Sequence, residues 1–157
     1  MTFDRAAAED FLFHKAALMD AADWDNWLAL FLPESTYWVP ARVDQPDPIE
    51  EVSLIHDDLA LLQARVAQLK HPQHYSNLPA VRASRHISNV RLASATASEA
   101  VVQSKLIMVE KTADQQRIYS GGSTHHLRFI DATIRIAAKK VILLTCDAAL
   151  EQMVLPL

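Results

Sequence analysis

Seven histidines and one cysteine, Cys146, invite a metal hypothesis, so their spacing matters. His71 and His74 form a His-x-x-His pair, but Pro72 lies between them and disfavours the helix that would aim both rings at one ion. They read as a surface pair. His125 and His126 are adjacent on a predicted strand, where consecutive side chains point to opposite faces and cannot both grip one metal. No Asp-x-x-His-x-x-x-x-His spacing occurs, and a cluster ligated by two cysteines and two histidines cannot be built from one cysteine. The expectation is no metal and no cofactor on this chain.

Metal-free acid–base chemistry has better candidates. An Asp or His can abstract a proton while a Tyr steadies the developing oxyanion. Tyr37, His56, Asp57, His86 and Tyr119 are the residues that a folded pocket could gather for this, although packing or helix capping accounts for each one separately. Tyr37, His86 and Asp57 would form the working trio of a stand-alone lyase or isomerase acting on a small cyclic substrate. The only two glycines are Gly121 and Gly122, which excludes a Gly-x-Ser-x-Gly elbow and a glycine-rich phosphate loop. Cys146 follows the apolar run Val141 to Leu144 and reads as a small packed hydrophobe rather than a nucleophile.

The elements that must position these groups are legible from periodicity. Phe3, Ala7, Phe11, Leu18 and Ala22 share a helical face, flanked by Ala8, Leu12 and Met19, with Thr2 as the predicted cap. A second short helix is predicted from Asp23 to Phe31, stopping near Pro33, and a short strand from Thr36 to Val39. Residues 41–50 read as loop, and Asp44 to Glu50 as too polar and kinked to pack. Asp57 or Asp58 then caps a third helix with the stripe Leu59, Leu62, Val66 and Leu69, ended by His71 and Pro72.

The second half changes period. Arg85 to Ala95, Ala100 to Glu110, Arg117 to Ile130 and Thr133 to Leu144 are rich in β-branched residues and are separated by short turns, as in an antiparallel meander. The last alternates most cleanly, with Ile134, Ile136 and Ala138 on one side and Arg135, Ala137 and Lys139 on the other. A bulge or sharp bend would explain the two glycines inside a strand. Helices followed by strands make an α+β chain. The predicted architecture is a cone-shaped roll: a curved, mainly antiparallel sheet with three N-terminal helices on its concave side. Residues 1–157 are expected to form one domain, which at this length buries roughly 70% of its unfolded surface.

Composition narrows the function further. Half of the residues are hydrophobic, 22% are charged, and the formal net charge is −4. No Lys/Arg stripe is present, so neither nucleic acid nor an anionic membrane is the expected partner. No segment reaches the roughly 18 apolar residues of a membrane span, and no secretory leader is apparent. A cytoplasmic location is the expectation.

Several ordered segments carry a resemblance. Ala17-Leu18-Met19-Asp20, Trp27-Leu28-Ala29-Leu30-Phe31 and Tyr37-Trp38-Val39-Pro40 are followed by Glu51-Val52-Ser53-Leu54-Ile55 leading to Asp57, then by Arg65-Val66. Arg82, His86-Ile87-Ser88-Asn89-Val90 and Lys139-Lys140-Val141-Ile142-Leu143 complete the series. This order resembles the β (small) subunits of bacterial aromatic-ring-hydroxylating oxygenases over nearly the whole chain, most closely the benzoate, anthranilate and salicylate branch. The loop Asp44 to Pro48 matches no firm pattern of that family.

The resemblance implies a cystatin-like, nuclear-transport-factor-like roll. It also implies an oxygenase of three α and three β subunits in aromatic-compound catabolism. The Rieske iron–sulfur cluster and the mononuclear iron belong to the α subunit, and no catalytic residue is carried over to this chain. Arg65, Arg82 and Lys139 then read as ion-pair or interface groups, Asn89 as a turn or strand-edge hydrogen bonder, and Trp27 and Tyr37 as core. The apolar end Met153-Val154-Leu155-Pro156-Leu157 is expected to be buried between subunits, because an isolated chain would expose it.

Overall fold

A computed structural model describes residues 2–71, 81–146 and 155–157. Helix α1 (Arg5–Asp20) is capped by Asp4, whose carboxylate accepts the Ala7 amide hydrogen at 2.8 Å. The cap is therefore Asp4 and not Thr2, and its charge also suits the positive end of the helix. Its buried face is Ala8, Phe11, Leu12, Lys15, Ala16 and Met19. Lysine is the unexpected member of that set.

Helix α2 (Trp24–Leu28) is shorter than predicted, because Phe31 already begins strand β1 (Phe31–Val39). Pro33 is tolerated inside that strand. The ladder to the neighbouring strand on one side skips from Phe31 to Thr36, and on the other side pairing covers only Thr36 to Val39, so neither partner needs a proline amide hydrogen. Trp24, Trp27 and Phe31 stack edge to face, with centroids 5.7 and 5.1 Å apart.

The loop from Pro40 to Leu54 is polar yet pinned. Buried Gln45 accepts the Ala41 amide at 2.9 Å and donates to Ser53 Oγ at 3.1 Å, which in turn accepts from Trp38 Nε1 at 2.9 Å. Strand β2 (Ile55–Asp58), which no sequence pattern predicts, pairs antiparallel with β1. Asp58 then caps helix α3 (Leu59–Lys70), accepting from the Leu61 amide at 2.9 Å, and Leu62, Val66 and Leu69 are buried. Pro72 and His74 lie outside the described residues.

Strands β3 (Arg82–Ala95), β4 (Glu99–Lys111), β5 (Gln116–Ile130) and β6 (Thr133–Leu143) follow the predicted segments closely. The sheet order is β2-β1-β6-β5-β4-β3, antiparallel except where β1 runs parallel to β6. Strands of this length twist enough to curl the sheet, and the helices close over its inner face, α1 on β3 and α3 on β1 and β2. The α+β roll is as expected. Asp131 and Ala132, both with positive φ (49° and 62°), form the two-residue turn from β5 to β6.

Three details of the sheet differ from expectation. The glycines mark no bulge: both have ordinary φ and sit in unbroken ladders. Gly121 instead allows close approach, since a Cβ there would stand 2.1 Å from the Ile142 carbonyl oxygen. Asn89 does occupy a left-handed conformation (φ 53°), where the β3–β4 register shifts. The third concerns β6, where His126 pairs with Ala138 but Leu127 with Ile136, leaving Ala137 as an extra residue. That bulge reverses the alternation. Ile136 faces the core, and beyond it Lys139, Val141 and Leu143 do, so Lys139 lies on the buried side and not, as predicted, with Arg135 on the outer one.

The chain end is also inside. Leu155, Pro156 and Leu157 are buried within this same chain, so its last residues need no neighbouring subunit to cover them. Met153 and Val154 lie outside the described residues.

Candidate functional site

The interior of the roll holds an unusual number of ionisable groups. Lys15 of α1, Arg85 of β3, Glu110 of β4, His125 of β5 and Lys139 of β6 are all buried, beside Tyr37 of β1 and Tyr119 of β5. Lys139 is the register partner of both Tyr37 and His125, which places these three across adjacent strands. Its Nζ stands 4.9 Å from the Tyr37 ring centroid.

These side chains converge on the chain end. Lys139 Nζ donates to the Leu157 carbonyl oxygen, and Arg85 Nη2 donates to the Pro156 carbonyl oxygen at 2.5 Å. The Leu157 amide donates to Tyr37 Oη at 3.1 Å, and the Leu155 amide to Glu110 Oε2 at 3.0 Å. Arg85 is anchored from behind by Asp20, which accepts from Nη1 at 2.7 Å and from the Arg85 amide at 3.1 Å. The last three residues therefore fill the cone as a ligand would.

Burial sets the electrostatics. It lowers Lys15 from 10.5 to about 8, against a hydrogen bond with Lys139 that raises it. Lys139 is pushed well below the ordinary lysine range, first by burial and then by the charge of Lys15. Two adjacent buried ammonium groups repel, so Lys139 tends to the neutral amine, which accepts from Lys15 while donating to Leu157. His125 is held well below its usual value by burial and by Lys15 and Lys139, and neither ring nitrogen has a hydrogen-bond partner among the described residues. Burial raises the Tyr37 phenol to about 12. Arg85 is lowered by burial, an effect its pairing with Asp20 opposes.

The acid–base trio does not assemble. Tyr37 and Asp57 are register partners on β1 and β2 and both are buried, but the Asp57 carboxylate is held by Arg65 at 2.8 Å. His86 is exposed on the outer face of β3, within 3.1 Å of Ser84 Oγ, because the inward residue there is its neighbour Arg85. His56 is exposed for the same reason of parity, next to buried Asp57. Tyr119 reaches the interior. Inward-facing Lys15, Arg85, Glu110, His125 and Lys139 were missed as a group; the only sequence signal was a lysine within the apolar stripe of α1.

His125 is buried and His126 exposed, as strand alternation requires, and Cys146 is buried. Trp27 and Tyr37 are core, Arg65 is an ion-pair group, and Arg82 is exposed. Among the described residues no three His, Cys, Asp or Glu side chains are grouped to hold a metal ion. In the interior, Arg85 and Lys139 donate to the main-chain oxygens of Pro156 and Leu157.

Residues 14–148 match the family described as ring hydroxylating beta subunit. The chain belongs to that family. It is 32% identical over 143 residues to the small oxygenase component of the p-cumate 2,3-dioxygenase system of Pseudomonas putida, covering 88% of this chain and 78% of the relative. The crystal structure of the beta subunit of benzoate 1,2-dioxygenase from Burkholderia mallei superposes with a TM-score of 0.83 at 26% identity, covering 96% of this chain and 97% of that one. An NTF2-like protein with a cystatin-like fold from Novosphingobium aromaticivorans shares the fold alone, with a TM-score of 0.64 at 13% identity over 93% and 85% of the two chains. A ring-hydroxylating β subunit is the small subunit of a dioxygenase, which implies an oxygenase α subunit as partner. No helix among the described residues is long and apolar enough to cross a membrane.

Proposed function

We propose that this β subunit is a non-catalytic scaffold that holds three α subunits in an α3β3 terminal oxygenase, and that the enzyme hydroxylates a benzene ring bearing a carboxylate. Family membership over residues 14–148 carries the reading. The substrate class is supported by the relatives' names, since p-cumate and benzoate are both ring carboxylates. The Rieske cluster and the mononuclear iron would reside on α. Aromatic catabolism would then be the cellular setting.

Two features of the chain support a scaffold over a stand-alone lyase. Its cone is occupied by Leu155–Leu157, and His86 points away from Tyr37 and Asp57. Exposed apolar side chains, including Ile49 at 84% and Val52 at 88%, give a partner something to cover.

Co-expression with a candidate α subunit tests the reading through the mass, iron content and turnover of the purified product. The expected product is an iron-containing hexamer that oxidises benzoate with an electron donor, the iron lost when α is omitted. A β chain that stays monomeric beside every α subunit, or that eliminates or isomerises a cyclic substrate on its own until Tyr37 or Asp57 is replaced, would overturn it.

A further inference from the structure

Three buried basic side chains are an expensive way to fix the segment Leu155–Leu157. Replacing buried charged groups with apolar ones of similar volume is often neutral or stabilising, so folding alone does not require Lys15, Arg85 and Lys139 inside the roll. Asp20 pairs with Arg85, Glu110 accepts from the Leu155 amide, and Arg85 and Lys139 donate to two consecutive carbonyl oxygens, those of Pro156 and Leu157. His125 lies beside Lys139 at 1% exposure, with both ring nitrogens unpartnered among the described residues. Hydrogen-bonding capacity thus exceeds what the tail uses. Around these groups, Leu155 and Leu157 fill apolar sockets at 6% and 0% exposure.

We propose that the interior of the roll is a binding site for a small monocarboxylate with a compact hydrocarbon body, which the Leu155–Leu157 segment occupies as a resident competitor. Lys139 and Arg85 would receive the carboxylate oxygens where they now hold the two carbonyls. Lys15 supports Lys139 from α1. The hydrocarbon body takes the socket of the Leu157 side chain, and His125 offers a further donor. The proposal does not depend on the oxygenase reading, since it concerns this chain alone.

The full-length chain with Leu155→Gly and Leu157→Gly keeps the backbone but loses both apolar anchors. Titration calorimetry with 4-methylpentanoate, whose body matches a leucine side chain, is the measurement, and 4-methylpentanamide is the uncharged control. The substituted chain should bind the acid at least about tenfold more tightly than the unsubstituted chain, because an intramolecular competitor has been weakened. Adding Lys139→Met should abolish the gain, and the amide should show none. Equal affinity of the two chains for the acid, or an amide that binds as well, overturns the site. If circular dichroism shows the double variant unfolded, Tyr37→Phe replaces it, dropping only the acceptor of the Leu157 amide. It should then gain about fivefold, the equivalent of one hydrogen bond, and no gain overturns the proposal.

Discussion

Lys139 and Tyr37 are register partners on the parallel pair β1–β6, and each holds one end of the same residue. Lys139 Nζ donates to the Leu157 carbonyl oxygen, while the phenol oxygen of Tyr37 accepts the Leu157 amide hydrogen at 3.1 Å. The chain end is thereby tied to the two strands that join the halves of the sheet. Stability and interior electrostatics meet at this point.

Tyr37→Phe should destabilise the chain by about 1–2 kcal/mol, the cost of leaving a buried amide donor unsatisfied with little change in packing. Urea denaturation measures it. The folded protein should also resist ionisation of this phenol until near pH 12, seen as a missing step in the ultraviolet phenolate titration. A Tyr37 that titrates near pH 10 would contradict its burial.

Stability should rise with pH through the lysine window. Burial lowers Lys15 from 10.5 to about 8, so between these values the unfolded chain binds more protons than the folded one, and raising pH favours folding. Lys139 acts in the same direction. Above about pH 10 Tyr37 opposes them, because its raised pKa keeps a proton in the folded state that the unfolded chain has lost. Urea midpoints from pH 7.5 to 10 should therefore climb, and Lys15→Met should flatten the slope. A fall across that range in the unsubstituted protein would refute the assignment.

Gly121→Ala and Gly122→Ala should separate sharply. At Gly121 the added Cβ meets backbone of β6 at 2.1 Å, which no rotamer relieves, whereas at Gly122 its nearest neighbour is the flexible end of Lys105 at 3.6 Å. The first should cost about 3 kcal/mol or more by forcing the strands apart, and the second less than about 1 kcal/mol. Thermal denaturation of the two variants distinguishes them. Similar melting temperatures would mean that β5 and β6 are not so closely apposed.

Ile49→Asp with Val52→Asp should leave the isolated β chain as stable as before, because both side chains are exposed. Co-purification with the α subunit should fall about tenfold or more if this loop is covered in the oxygenase, since a charge buried unpaired in an interface is costly. Undiminished co-purification would direct the search for the contact elsewhere. Lost β stability would show instead that the loop supports the fold.

The sequence by itself determined the local elements and the family. Leu62, Val66 and Leu69 recur at helical spacing and are buried, and four β-rich segments give four long strands within a few residues of their predicted ends. These signals are local, so periodicity and turn chemistry suffice to read them. Strand β2 escaped because it has four residues and forms only by pairing with β1.

The contents of the interior were decided by tertiary structure. One unpaired residue, Ala137, reverses the faces of β6 and carries Lys139 from the expected outer side into the core, and the parity of β3 admits Arg85 where His86 was expected. Side-chain direction has a period of two, so a single-residue shift fixed by the neighbouring strand exchanges inside for outside without altering any local pattern. The burial of Leu155–Leu157 is equally nonlocal. An apolar segment looks alike whether it covers a partner or fills its own fold, and only the tertiary structure, which brings Tyr37, Arg85, Glu110 and Lys139 together around it, decided between the two.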